Sequence, residues 1–200
     1  PGRFLYSNLG YVLAGAVIER ITGTAWEEAV LRLLLAPLGV RSAGFGAPAG
    51  DQPWGHAPRA LGVGRGPAVD PGAAGPRARP ADNPPLLGPA GTLHLTLADW
   101  ARFVAQFLDG GATHLSPESI DRILKVPPGG GPAQGMGWAY PARRSGLEGV
   151  GFAQQGCNRM WVAIAVVSPG RDRAALVTAN DGRTRMLRAT ATLGAELLAR

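Results

Sequence analysis

Apolar positions recur with helical spacing from the start of the chain. Within residues 10–21, Val12, Leu13, Ala16, Val17 and Ile18 follow a buried-helix pattern, and Gly23 stands where a C-cap is needed. Thr24 opens a second helix, with Glu27 three residues on to complete a capping box. Trp26, Val30, Leu33 and Leu34 share one face of it, and Pro37 and Gly39 end it. Across residues 44–91 periodicity is lost and proline and glycine punctuate the chain, which predicts a functional loop or disorder. Helical spacing returns at Thr96, an N-cap with Asp99 at N3. Leu97, Trp100, Ala101, Val104, Phe107 and Leu108 form its stripe, and Gly110 and Gly111 stop it. Ser116 and Pro117 then supply an N-cap and an N1 proline for a short helix that buries Ile120, Ile123 and Leu124.

Strand patterns follow. Residues 135–140 and 150–155 read as short strands, and 161–167 and 174–179 as a hairpin around Pro169-Gly170-Arg171-Asp172. A last helix over residues 184–198 turns Leu187, Ala191, Leu193, Ala195 and Leu198 inward. Helices first, then a sheet, then a terminal helix predict an α+β fold and not alternating βαβ units. The chain divides into helices at 1–43, a Pro/Gly-rich loop at 44–91, helices at 96–125, and strands with the closing helix at 135–200. These read as one domain.

Composition narrows the classes. With 46% apolar and 17% charged residues the chain is globular in character. Its net charge of +6 comes from scattered arginines, Lys125 being the only lysine. No basic stripe or aromatic platform accompanies the charge, so nucleic-acid recognition is not expected. A single cysteine, Cys157, rules out an internal disulfide and a Cys-based zinc site. Three histidines without an HExxH pattern leave little material for metal catalysis. No apolar run has the length of a transmembrane helix. The sequence opens at Pro1 in the middle of a motif, so the chain is expected to be a C-terminal piece of a longer protein.

Tyr6-Ser7-Asn8 alone would signify no more than a turn, since Asn tolerates the left-handed region and Ser bonds local backbone. It stands, however, in a longer series: Phe4-Leu5-Tyr6-Ser7-Asn8-Leu9-Gly10-Tyr11, Ile18-Glu19, Trp26-Glu27 and Pro37-Leu38-Gly39. Pro53-Trp54-Gly55-His56, Asp82-Asn83-Pro84-Pro85 and Gly88-Pro89-Ala90-Gly91-Thr92-Leu93-His94 continue it. Asp99-Trp100-Ala101, Gly135-Met136-Gly137-Trp138 and the hairpin from Met160-Trp161 to Asn180 complete it. In order and spacing this resembles the serine β-lactamase-related, penicillin-binding-protein-like hydrolases of the class C β-lactamase and esterase type. The likeness runs over residues 1–182.

The resemblance implies a β-lactamase/transpeptidase-like α+β fold and acyl-enzyme hydrolysis of a β-lactam, a D-Ala-D-Ala-like peptide or a small ester, with no cofactor. Many relatives are exported, which is compatible with a periplasmic placement. In this family a Ser-x-x-Lys motif supplies the nucleophile and a lysine one helical turn away. Carried onto this sequence, Tyr6 is the general acid/base and Asn8 the positioning amide. Gln154 and Gly156 fall in the third motif, and the N–H of Cys157 becomes an oxyanion donor. The side chains of Tyr6 and Asn8 should then point into the groove at Gly156.

Two departures bear on activity. Residue 122, three before the only lysine, is Arg122, so these residues hold no Ser-x-x-Lys, and its place in relatives lies before residue 1. Gln154 stands where relatives carry His or Lys; a charged hydrogen bond of about 1.5–3 kcal/mol becomes a neutral one of about 0.5–1.5 kcal/mol. The competing reading is a non-catalytic, vestigial or ligand-binding protein on the same scaffold. An unrelated interaction module rests only on the Pro/Gly loop and the basic charge. The 200 residues alone are expected to be marginally stable and to bind a dye for exposed apolar surface; a sharp cooperative melt without dye binding would contradict this.

The remaining candidates read as structural. Cys157 is expected half-buried and without a paired base, His94 as a core histidine bonded to backbone, His56 as a loop brace and His114 as a surface residue. Trp100 and Trp138 fit core positions, and Gly129-Gly130-Gly131, lacking the Lys-Ser/Thr of a phosphate loop, reads as a connection.

Overall fold

A computed structural model describes residues 5–59, 64–73, 75, 78–111, 114–128, 133–142 and 145–200. Phe4 and the Gly129-Gly130-Gly131 connection lie outside them. Helix α1 (Asn8–Thr22) starts two residues before the predicted span because Ser7 caps it, its Oγ accepting from the Leu9 N–H at 3.2 Å. Gly23 ends it at φ 70°, in the left-handed region, as expected. The buried-helix expectation fails. Only Gly15 of α1 is buried, against the Pro89 ring, while Leu5, Leu9, Leu13, Val17 and Ile21 are 57–84% exposed. Periodicity shows that a helix has an apolar face, not that anything covers it.

Helix α2 (Trp26–Val30) corrects the capping box. Its N-cap is Ala25, Thr24 makes no cap bond, and the free Trp26 N–H is met by Glu19 Oε1 of α1 at 3.1 Å. The helix runs on into a π-turn (Leu31–Leu35), closed by the Ala36 N–H on the Leu31 carbonyl at 2.8 Å. The wider turn shifts the inward face by one residue, burying Leu35 and leaving the predicted Leu33 46% exposed. Pro37 has no N–H for the Leu33 carbonyl four residues back; His114 supplies one from Nε2, at 2.8 Å. His114 is thus exposed, as expected, but bonded. His114→Ala should cost about 1 kcal/mol in urea unfolding.

Residues 44–91 carry more order than the sequence promised. Strand β1 (Gly44–Phe45) pairs antiparallel with β4 (Leu93–His94), and β2 (His56–Pro58) pairs with β3 (Arg65–Ala68). A 3₁₀ turn (Pro85–Leu87) leads into α3 (Gly88–Gly91). His56 Nδ1 meets the Gly66 carbonyl and His94 Nδ1 the Gly46 carbonyl, at 2.9 and 2.8 Å, so both histidines brace backbone.

Helix α4 (Leu97–Val104) is capped by Thr96, as expected. Asp99 does more than sit at N3: its Oδ2 accepts from the Arg41 and Ser42 N–H groups, both at 2.8 Å, and from Ser42 Oγ at 2.7 Å. Those bonds, the Ser42 hydroxyl first, hold its pKa at about 2. Helix α5 (Pro117–Leu124) has the predicted Ser116 cap and a fully buried Ile120. No strand forms over residues 135–140. Gly137, at φ 87°, lies in a turn closed by the Gly135 N–H on the Trp138 carbonyl, and pairing is limited to single bridges of Ala139 with Gln134 and Ala153.

The main sheet runs in the order β5 (Phe152–Cys157), β6 (Val162–Val167), β7 (Ala174–Ala179), all antiparallel. Alternation gives it two apolar faces. Phe152, Ala165 and Val167 meet Val104, Phe107, Ile120 and Trp138 on one; Ala153, Ile164, Val166 and Val177 meet Leu198 of α6 (Thr184–Leu198) on the other. The sheet therefore lies between the terminal helix and the central helices. Leu193, predicted inward on α6, is 43% exposed; Gly194 is buried beside Val166 instead. No helix among the described residues is long and apolar enough to cross a membrane.

Candidate active site

The two residues assigned to proton handling and substrate orientation are adjacent at the start of α1. Ser7 between them caps the helix, so residues 6 and 8 are fixed relative to its first turn. The Tyr6 hydroxyl donates to Asn8 Oδ1 at 3.0 Å, and both side chains are exposed. Tyr11, less than one and a half turns on, has its phenol proton held more tightly than usual, by burial first and then by the neighbouring Tyr6. Its hydroxyl lies 3.6 Å from where a Cβ on Gly137 would stand.

Gly137 belongs to the wall of a cavity of about 170 Å³. Trp100 and Phe103 of α4, Met136 and Trp138 of the turn, Gln154 of β5 and Ala165 of β6 form the rest. Among these lining residues Gln154 is the one with a hydrogen-bonding amide side chain. The aromatic walls are held in series: Phe107 and Trp138 rings are 4.8 Å apart and Trp138 and Phe152 5.1 Å. Trp138 is a core residue, as expected, Trp100 is half-buried against the same core, and both line this cavity. Tyr11 thus stands beside Gly137 of the cavity wall, although sequence reading had given it no role.

Strand β5 is the edge of its sheet. Ala153 exchanges two main-chain bonds with Ala139, each 2.8 Å, on the side away from β6. Amide direction alternates along a strand, so the Gln155 and Cys157 N–H groups point to that same outer side while Gln154 and Gly156 face β6. A Cβ on Gly156 would meet nothing within 4 Å. Among the described residues the Gln154 amide bonds only locally, donating to the Gln155 carbonyl at 3.3 Å, whereas Gln155 reaches α6 at the Leu187 carbonyl, 2.8 Å away. Cys157 is exposed rather than half-buried, because an edge strand covers only one of its sides. Its Sγ accepts the Arg159 N–H at 3.2 Å.

Asn158 closes the β5 end. Its Oδ1 accepts the Met160 and Trp161 N–H groups at 3.1 and 2.9 Å, and its Nδ2 donates to Asp82 Oδ1 at 2.7 Å. Asp82 belonged to the quoted motifs, but neither side chain had been given a role. Only its position directly after the third motif could have flagged Asn158.

Fold and edge geometry define a protein of the β-lactamase/transpeptidase-like α+β class. The chain belongs to the β-lactamase family: the family model described as Beta-lactamase matches residues 2–199. Solved structures agree on the fold. The octameric penicillin-binding protein homologue from Pyrococcus abyssi is 24% identical with a TM-score of 0.71, over 100% of this chain and 44% of its own. D-amino acid amidase from Ochrobactrum anthropi is 21% identical with a TM-score of 0.66, over 99% and 59%. The class C β-lactamase from Rhodobacter sphaeroides is 18% identical with a TM-score of 0.65, over 96% and 59%. The chain thus spans about half the length of these proteins. No curated protein matches it.

Proposed function

We propose that the protein is a serine hydrolase acting through an acyl-enzyme on a β-lactam, a D-Ala-D-Ala-like peptide or a small ester, with serine and lysine supplied by chain outside these 200 residues. The observation that carries this reading is the hydrogen-bonded Tyr6-Asn8 pair on the first turn of α1, within a family match that covers nearly the whole chain. In this reading Tyr6 relays the proton between the serine, the lysine and the leaving group, and Asn8 orients the substrate carbonyl. The outward Cys157 N–H stabilises the tetrahedral oxyanion, and Gln154 and Gly156 line the substrate's path. Two further facts support it: the apolar edge of α1 is uncovered beside Tyr6, and one neighbour is named an amidase and another a β-lactamase. These 200 residues hold no Ser-x-x-Lys, so in this reading Tyr6 serves a serine that they do not include.

The second reading, a ligand-binding or vestigial protein, is favoured by Gln154 in place of a cation and by the absence of Ser-x-x-Lys from these residues. Labelling of the longest natural product with a fluorophosphonate or penicillin probe separates the two. The hydrolase should be labelled, and Tyr6→Phe should slow labelling by about 10²–10⁴-fold. A correctly folded product that takes no label supports the binding reading.

A further inference from the structure

The two halves of the site just described sit on different elements, α1 and β5, and a continuous set of contacts ties them together. Pro89 of α3 rests against Gly15 of α1, so closely that a Cβ there would overlap its ring. The Gly91 carbonyl at the end of α3 accepts Asn83 Nδ2 at 2.9 Å, and the Asn83 N–H bonds Asp82 Oδ1 at 2.7 Å. Asp82 Oδ1 also takes the Asn158 Nδ2 bond at 2.7 Å, one residue beyond Cys157. From the geometry we infer that Asp82 and Asn158 form a positioning latch, setting where the Cys157 N–H stands relative to Tyr6. This rests on the hydrolase reading.

Asparagine is the side chain that this position needs. Its carbonyl oxygen must face two main-chain donors, which leaves its NH₂ for the Asp82 carboxylate. Aspartate would keep the two acceptor bonds but set one carboxylate against another. Alanine would keep neither. Neither Asp82 nor Asn158 touches the reacting atoms in this scheme; both act through the backbone at Cys157. Misplacing a transition-state donor acts on kcat and leaves KM nearly unchanged, since the oxyanion exists only in the transition state.

The test is a reciprocal exchange in the longest natural form. Asn158→Asp should lower kcat, read as the rate of fluorophosphonate labelling at saturation, by about tenfold or more, with the half-saturating probe concentration unchanged. The Cys157 amide signal should shift in ¹⁵N NMR. Adding Asp82→Asn restores one donor facing one carboxylate, and both readouts should return toward wild type. Asp82→Asn alone, with an amide facing an amide, should be milder than Asn158→Asp because no like charges meet. Equal labelling rates and an unmoved Cys157 amide in Asn158→Asp would overturn the latch, as would a double variant no better than the worse single. If wild type takes no label the hydrolase reading falls, and the amide shift with its recovery in the double variant still decides whether Asp82 and Asn158 set the β5 end. An amide that moves but does not recover counts against the latch.

Discussion

Trp138→Ala should abolish the cooperative unfolding transition of the 200-residue chain. The indole is 5% exposed and stands between Phe107 and Phe152, joining the central helices to the sheet. Removing so large a buried side chain costs about 3–5 kcal/mol, because its transfer free energy is lost and the aromatic neighbours cannot close the space. A typical domain has only about 5–15 kcal/mol in total. This chain is expected to start lower, since Leu5 and the α1 row from Leu9 to Ile21 are open to water. Near-ultraviolet circular dichroism and thermal melting read the outcome. Trp138→Phe keeps an aromatic in the series and should retain a transition at lower temperature. An alanine variant melting within a few degrees of wild type would show that the helices and sheet do not depend on this junction.

Asp181→Asn should lower the melting temperature by about 5 °C or more. Asp181 and Arg183 side chains are only 10% and 11% exposed, and Arg183 grips both carboxylate oxygens, Nε lying 2.9 Å from each. Asp181 also accepts the Arg183 N–H at 3.2 Å, while the next residue, Gly182, bonds the His56 carbonyl with its N–H. A Cβ on Gly182 would overlap the Arg159 carbonyl, so this turn is packed under the β5–β6 connection. Loss of the carboxylate charge leaves a poorly hydrated guanidinium without its counterion. The Arg183 bond is also the main cause that holds the Asp181 carboxyl below its ordinary range. Its folded pKa is therefore lower than the unfolded value of about 3.9, so the stabilisation is complete above that pH and is lost as pH falls through the folded value. Wild type should lose stability on acidification below about pH 4, and Asp181→Asn should show a shallower loss over the same interval. Asp99, at about 2, contributes to the same slope in both proteins. Identical acid slopes would remove Asp181 from the account.

Much of the fold was legible because it is local. Ser116-Pro117, Thr96 with Asp99, and Gly23 are caps whose chemistry lies within a few residues, and all three formed as read. The strand over residues 174–179 and the helix over 184–198 formed with the bounds read from the sequence, although Leu193 of the helix turned outward. Local reading failed where a side chain of another element stepped in or where the backbone departed from regular helix or strand. Glu19 took the place of the Thr24 capping box by reaching from the preceding helix. The π-turn rotated Leu35 inward in place of Leu33. In residues 135–140 glycine at positive φ turned an alternating stretch into a corner that seats Trp138.

For the site, the sequence by itself determined the chemical inventory and the family: Tyr6 and Asn8 flanking a helix cap, a glycine at 156, a neutral amide at 154, and motifs in family order. Only the tertiary structure decided the outward direction of the Cys157 N–H, the cavity under Gln154, and the bond between Asp82 and Asn158 across 76 positions. Caps and periodicity follow from covalent neighbours and the geometry of one helix or strand. Which side of an edge strand stays open, and which distant carboxylate meets an amide, depend on how separate elements stack, and no interval along the sequence encodes that distance.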